Sequence, residues 1–155
     1  MKSTFALKLV TFLAVIAMLG ACATGPKAPR MVLNIDAASS INPDLNRRPS
    51  PVVLYLYTLK GNSIFNNARF VELYTNHKDV LGVDFLGVEE MAISPGETLN
   101  LVQRELPEDT RHIGVVAAFR DIDEATWRGS VDIKPGEKFD LDIRLEKLTV
   151  MVEKH

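Results

Sequence analysis

Cys22 is the side chain in this sequence whose type and position most clearly predict chemistry. The chain of 155 residues has no second cysteine, so an internal disulfide is excluded. A lone cysteine in an exported chain indicates an intermolecular bridge or a modified thiol. Before it stand Lys2, Lys8 and then twelve uncharged residues, LVTFLAVIAMLG. That run suits the apolar part of an export signal and is shorter than the roughly 20 residues of a membrane-spanning helix.

Two interpretations of Cys22 follow from the residues just before it. An ordinary signal peptide cleaved after Ala21 leaves an incidental free thiol. The sequence LGAC at 19–22 instead resembles a bacterial lipobox, in which lipid is attached to the cysteine sulfur and the chain is cut just before it. We therefore expect residues 1–21 to be a lipoprotein signal peptide, Cys22 to be the lipid attachment site, and residues 22–30 to be a lipidated tether. No cofactor other than this covalent lipid is expected.

The remaining reactive side chains form no recognisable site. The tetrapeptide DIDE at 121–124 gathers three carboxylates but lacks the glycine and the distal glutamate of a calcium loop. Ser39 and Ser40 lack the flanking glycines of a serine-nucleophile turn. The three histidines are scattered, at His77, His112 and His155. No pair of them has the spacing of metal ligands, so the sequence predicts neither a metal site nor an enzyme.

Charge and length limit the class of the mature protein. Without the first 21 residues, 134 remain, enough for a single domain with a buried core. The signal carries two lysines and no acid, so the mature chain has 16 basic and 20 acidic residues and a net charge near −4. This balance does not suggest a nucleic-acid partner, and no basic run suggests binding to anionic lipid. We expect residues 31–155 to form one domain.

Most of that domain is predicted to be β-structure, with each strand bounded by turn residues. The predicted strands are MVLNIDA (31–37), PVVLYLYTL (51–59), VDFLGVEEMAI (83–93), TLNLVQREL (98–106), HIGVVAAFR (112–120), TWRGSVDI (126–133) and KFDLDIRLEKLTVMVE (138–153). The apolar run in 112–120 is typical of a central strand buried on both faces. Within 138–153 the apolar set moves from odd to even positions, which predicts a bulge, a bend or a change of sheet near residue 147. Seven or eight such strands indicate a two-sheet β-sandwich.

Two further patterns concern the connections. ISPGE at 93–97 and IKPGE at 133–137 each place Pro before Gly, as a type II turn requires, and we interpret both as hairpin-like turns between antiparallel strands.

Residues 62–82 instead carry apolar side chains at helical spacings, interrupted too often for one straight helix. They predict two or three short helices that pack over one edge of the sandwich.

The mature chain resembles the TssJ family, the outer-membrane lipoproteins of the bacterial type VI secretion system. The resemblance rests on the lipobox and on four segments, and it covers essentially the whole mature chain. The segments are INPDLNRRPSPVVLYLYTL, the short helices from 65 to 81, LGVEEMAISPGE and IGVVAAFRDIDEATWR. It implies a transthyretin-like two-sheet β-sandwich with a short helical insertion after the second strand. This mostly-β fold agrees with the patterns described above.

The resemblance also implies a role. A TssJ protein sits on the periplasmic face of the outer membrane, bound there through its lipid, and Ala23 rather than Asp after the cysteine favours that membrane by resemblance to lipoprotein sorting. It binds the periplasmic C-terminal region of TssM, and through TssM it connects indirectly to TssL in the trans-envelope complex. It is a structural adaptor with no small-molecule substrate. The alternative is a periplasmic ligand-binding or carrier lipoprotein. A deep apolar pocket lined by polar groups would favour that alternative.

The predicted partner-binding site is the connection between the first two strands, residues 38–50. Its thirteen residues exceed the two to five typical of hairpin loops, and long ordered loops in compact domains tend to be functional. Ile41 and Leu45 stand among polar residues and are predicted to form an exposed apolar pair with a polar rim. The alternative is that both fold back to cap the sandwich. In the TssJ family this loop contacts TssM, which implies a site at Ser39, Ser40, Ile41, Asn42, Pro43, Asp44, Leu45, Asn46 and Arg47.

Overall fold

The alternating segments form two four-stranded sheets in the computed structural model, which describes residues 27–155. The expected signal peptide and Cys22 lie outside the described residues. The strands are β1 (Arg30–Ala37), β2 (Val52–Leu59), β3 (Phe85–Ile93), β4 (Thr98–Glu105), β5 (His112–Ala118), β6 (Arg128–Asp132), β7 (Lys138–Glu146) and β8 (Thr149–Lys154). Sheet 1 has the order β4-β1-β7-β8 and sheet 2 the order β3-β2-β5-β6. The predicted two-sheet β-sandwich is confirmed.

The space between the sheets is filled by one face of each strand. On β1 the odd-numbered residues from Met31 to Ala37 are buried, as their alternation predicts. Strand β5 is buried on both faces, because Val115 and Ala117 face sheet 1 while Val116 faces the helical insertion. One pairing was not predicted: β1 and β7 run parallel, with Leu33 beside Leu141.

The last predicted strand is two strands. β7 and β8 pair antiparallel in the same sheet, joined by a turn at Lys147 and Leu148. The phase shift near residue 147 is therefore produced by a reversal of the chain, and the predicted bulge, bend or change of sheet is wrong. Lys147 adopts a positive φ of 32° in this turn. Two residues are enough for a hairpin, and they move the apolar set from odd to even positions without any bulge.

The two Pro-Gly turns do not form hairpins. Gly96 and Gly136 have φ values of 77° and 69°, as the sequence predicts for a type II turn. However, β3 and β4 belong to different sheets, as do β6 and β7. Each turn therefore carries the chain across the sandwich from sheet 2 to sheet 1, and the antiparallel pairing expected across it is wrong.

The helical insertion lies between β2 and β3 and consists of α1 (Ser63–Asn67), α2 (Phe70–Leu81) and a 3₁₀ turn (Gly82–Asp84). Its buried side chains pack against the outer face of sheet 2, so it covers a face and not the predicted edge. Phe65 is fully buried, and the Tyr57 hydroxyl donates a hydrogen bond of 2.9 Å to the Leu73 carbonyl. The Arg128 guanidinium fixes the end of α1, because Nη1 donates to the carbonyls of Phe65 and Ala68, each at 2.8 Å.

Each connection between strands lies at one of the two ends of the sandwich, and the strand directions determine which end. The β1–β2, β3–β4, β5–β6 and β7–β8 connections all lie at one end, which we call the loop end. Residues 27–29 lie at the opposite end, which we call the tether end. There the Leu106 amide donates to the Pro29 carbonyl at 2.9 Å, and the Arg30 amide donates to the Glu137 carbonyl at 2.8 Å.

Candidate functional site

A closed turn forms the tip of the β1–β2 connection, and Asp44 builds it. Its Oδ1 accepts hydrogen bonds from the backbone amides of Asn46 (2.8 Å) and Arg48 (2.9 Å), as Asp side chains commonly do in turns. Its Oδ2 accepts from Nε and Nη2 of the Arg48 guanidinium, at 2.9 and 2.8 Å. The Arg48 amide and then its guanidinium hold the pKa of the Asp44 carboxyl below its usual value. The turn is therefore a preformed feature of the loop with its carboxylate ionised.

Leu45 stands at the tip of this turn, and Ile41 does not. The Leu45 side chain is fully exposed, whereas Ile41 is 0% exposed and packs in the core between the sheets. The predicted exposed apolar pair is therefore wrong for Ile41, which folds back as the alternative interpretation had it. Leu45 does not fold back. It is the one large apolar side chain of this loop that remains in solvent, between the polar residues Asp44 and Asn46.

Asn42 joins the loop to two other connections. Its backbone amide donates to the Lys147 carbonyl at 2.7 Å, its Oδ1 accepts from the Arg120 amide at 2.8 Å, and its Nδ2 donates to the Pro51 carbonyl at 2.6 Å. The residue has a φ of 48°, a left-handed conformation that Asn tolerates better than most residues. It is only 2% exposed, so it holds the loop from inside and is not available for direct contact with a partner.

Three connections border one cleft at the loop end. The cleft has a volume of about 1070 Å³ and is open to solvent. The β1–β2 loop forms one wall, and the β5–β6 and β7–β8 connections form the other. The lining residues are Ser40, Pro43, Asp44, Leu45, Asn46, Arg47, Pro49, Arg120, Asp121, Lys147 and Leu148. Of the nine site residues named from the sequence, six therefore line this cleft, Ser39 is exposed outside the lining, and Ile41 and Asn42 are buried.

Five lining residues were not among the nine predicted, and all of them except Pro49 lie outside the β1–β2 loop. Arg120 and Asp121 follow β5, and Lys147 and Leu148 form the β7–β8 turn. They lie about 70 residues or more from the β1–β2 loop in sequence, so no local pattern connects them to it. The only signal available was topological, since the strand order brings these connections to the same end of the sandwich.

Two kinds of feature are absent from the described part of the chain. Residues 27–155 contain no group of three or more His, Cys, Asp or Glu side chains that could hold a metal ion. Over the same residues, no helix combines the length and the apolar character needed to cross a membrane.

Comparisons with known proteins place the chain in a family. The model of the family described as "Type VI secretion lipoprotein, VasD, EvfM, TssJ, VC_A0113" matches residues 29–148. The T6SS lipoprotein TssJ1 from Pseudomonas aeruginosa is 34% identical with a TM-score of 0.78, over 84% of this chain and 98% of that chain. A comparison with curated proteins gave no match.

Two further solved structures resemble the chain. One, described as a type VI membrane complex, contains a chain that is 25% identical, with a TM-score of 0.70 over 82% of this chain and 99% of that chain. Another, described as the T6SS protein TssM C-terminal domain from EAEC, matches at 26% identity and a TM-score of 0.65, over 79% and 99%. Since the family model spans most of the chain and the Pseudomonas lipoprotein shares its fold over nearly its whole length, this chain belongs to the TssJ family of type VI secretion lipoproteins.

Proposed function

We propose that this protein is a lipid-anchored structural adaptor of the type VI secretion trans-envelope complex. It is held at the periplasmic face of the outer membrane by lipid on Cys22, and it binds the periplasmic C-terminal region of TssM. Through TssM it connects indirectly to TssL, and it carries out no catalysis. Family membership supports the secretion role, and the resemblance to chains in structures described as a type VI membrane complex and a TssM C-terminal domain supports the partner.

The observation that carries the proposal is the exposure of Leu45 on a braced loop. A large apolar side chain surrounded by polar groups is the arrangement found at the centre of protein interfaces. The bonds of Asp44 and Asn42 already order the loop, so little conformational entropy is lost when a partner binds. We assign the contact with TssM to this loop, from Ser39 to Arg47, with Leu45 as the central side chain.

The topology supports an adaptor. The tether enters at one end of β1, and the loop that carries Leu45 leaves from the other end. An eight-residue strand rises about 3.3 Å per residue, so the two ends are separated by roughly 26 Å. A domain anchored by its tether end can therefore present its loop end to a protein that approaches from the periplasm.

The cleft at the loop end does not favour a carrier. Sites for small molecules are concave, mostly apolar and enclose most of the ligand surface. This cleft is open, and charged side chains from Asp44, Arg47, Arg120, Asp121 and Lys147 contribute to its lining. It resembles a recess between surface loops, which a protein partner can fill.

The test is to replace Leu45 and measure binding to the periplasmic domain of TssM by titration calorimetry, using the mature lipoprotein in detergent. Loss of a hot-spot side chain costs about 2 kcal/mol or more, so Leu45→Ser should weaken binding by about 30-fold or more if Leu45 is the central side chain of the interface. Because Leu45 is fully exposed, the melting temperature should not change.

Val83→Ser is the matched control for Leu45→Ser. Val83 is 87% exposed in the 3₁₀ turn beside the start of β3, at the tether end. The control variant should bind TssM like the unmodified protein. Unchanged affinity of Leu45→Ser would contradict the proposed site.

A further inference from the structure

We propose that the cleft at the loop end recognises an acidic segment of the partner, with carboxylates that face Arg47, Arg120 and Lys147 beside an apolar side chain that packs on Leu45. This inference rests on the proposed function and names the chemistry of the partner surface.

The charges that line the cleft carry the inference. Arg47, Arg120 and Lys147 are exposed, and the side chains of all three are free of ion pairs to the described residues. The lining also holds two carboxylates, Asp121 and Asp44, and the Asp44 carboxylate is paired with Arg48. Counted with Arg48, which pairs with Asp44 from outside the lining, four cations face two carboxylates, a positive excess of two, although the chain as a whole has a net charge of −2.

The backbone segments that carry Arg120 and Lys147 are joined to the loop that carries Leu45. The backbone amide of Arg120 and the backbone carbonyl of Lys147 both bond to Asn42, the residue that also supports the loop. Three separate connections thus form one rigid surface. Charged groups arranged in this way steer a partner of opposite sign toward the site and fix its orientation.

The surroundings of the cleft define the partner segment further. Leu45, Leu148 and Pro49 supply apolar surface in the same lining. The carboxylates of Asp123 and Glu124 are exposed on the β5–β6 connection but do not line the cleft. These two carboxylates would repel an acidic segment displaced from the cleft toward them. The charge pattern therefore favours one position of the partner segment.

Charge reversal tests the inference. We would measure association and dissociation rates of the mature lipoprotein with the TssM periplasmic domain at about 50 and about 300 mM salt, between which the screening length falls by a factor of about 2.4. Arg120→Glu and Lys147→Glu should each lower the affinity by about tenfold, mainly through the association rate, and should weaken its dependence on salt. Lys134→Glu is the matched control, because Lys134 is exposed in the β6–β7 turn at the tether end. It should change neither rate.

The outcomes separate this inference from the proposed function. If Leu45→Ser abolishes binding while both charge reversals leave affinity and salt dependence unchanged, the inference of an acidic partner segment is wrong. The proposed binding site at the loop is then still supported. A gain in affinity on charge reversal would show a basic partner and overturn the inference as well. If neither Leu45→Ser nor the reversals affect binding, the proposed function fails at this loop.

Two additional measurements complete the test. If Arg120→Glu lowers the melting temperature, Arg120→Ala takes its place, and Lys147→Glu remains as the charge reversal in the comparison. Sedimentation in detergent then measures the oligomeric state, which tests whether a second copy of this chain occupies the cleft. A change of oligomeric state on charge reversal, with unchanged affinity for TssM, would assign the cleft to self-association and overturn the inference.

Discussion

Asn42 explains why the β1–β2 loop has one shape. A fourteen-residue connection between two sheets has no ladder of its own to satisfy its backbone groups. Asn42 supplies three hydrogen bonds from a single buried residue, to the β2 side, to the β5 exit and to the β7–β8 turn. Asn42 therefore joins the loop to the two neighbouring connections from inside, while Asp44 orders the exposed tip.

Replacing Asn42 should destabilise the whole protein. Asn42→Ala leaves the Arg120 amide and the Pro51 carbonyl without their partner, and each lost hydrogen bond costs about 0.5–1.5 kcal/mol. It also puts Ala at a φ of 48°, which costs about 1 kcal/mol more. We expect the free energy of unfolding to fall by about 2–4 kcal/mol, measured by urea denaturation.

Asn46→Ala is the control for this prediction. Asn46 lies in the same loop and is exposed, and its backbone amide, which the substitution keeps, makes the bond to Asp44. The expected change in stability is within about 0.5 kcal/mol. Equal losses for the two variants would refute the role assigned to Asn42.

The sequence identified the loop but not the roles of its residues. Length and position were enough to single out residues 38–50. Within an irregular loop there is no periodicity to separate buried from exposed side chains, so Ile41 and Leu45 look equivalent. Their difference arises from long-range packing: Ile41 fills the space between the sheets, and the Asp44 turn keeps Leu45 away from it.

At the scale of elements, β5 and α1 determine how the helical insertion sits. Phe65 packs directly over Gly114, where an added Cβ would lie 2.5–2.8 Å from the ring atoms. The glycine is therefore needed for close approach of the helix to the sheet. The adjacent aromatic residue Tyr57 completes the contact, with ring centroids 5.5 Å apart.

A double-mutant cycle between Gly114 and Phe65 should show strong coupling. Phe65→Ala alone should cost about 3–5 kcal/mol of unfolding free energy, because the side chain is fully buried. Gly114→Ala alone should cost about 1–3 kcal/mol or more, because its methyl group overlaps the ring.

In the Phe65→Ala background, Gly114→Ala should cost little, since the ring that it meets is gone. Chemical denaturation of the four proteins gives the coupling energy. Additive costs would mean that the packing of Phe65 on Gly114 does not position the insertion.

The elements themselves were largely predictable, and their partners were not. Alternation located the strands within a few residues, and interrupted helical spacing located the insertion. Turn chemistry correctly predicted positive φ at Gly96 and Gly136. Which sheet the next strand joins depends on contacts far away in sequence, such as the parallel pairing of β1 with β7, and a local Pro-Gly pattern carries no information about it.

At the scale of the whole molecule, the sandwich separates the tether from the binding site. Pro29 and Arg30 are bonded to the β4–β5 and β6–β7 connections respectively, while Leu45 and the cleft lie at the other end. This arrangement predicts that anchoring and partner binding are independent. A change at the anchor should alter where the protein resides without altering what it binds.

Cys22→Ser tests this independence. If the sulfur of Cys22 carries lipid, its removal should release the protein from the membrane fraction or leave an uncleaved precursor, because two or more acyl chains supply the anchoring energy. Labelled palmitate should enter the unmodified protein and not the variant. The variant should keep its melting temperature and its affinity for TssM, since Pro29 and Arg30 are bonded at the end of the sandwich opposite Leu45 and the cleft. Absence of label from the unmodified protein would favour an ordinary signal peptide cleaved after Ala21, and a loss of TssM affinity in the variant would show that anchor and site are coupled.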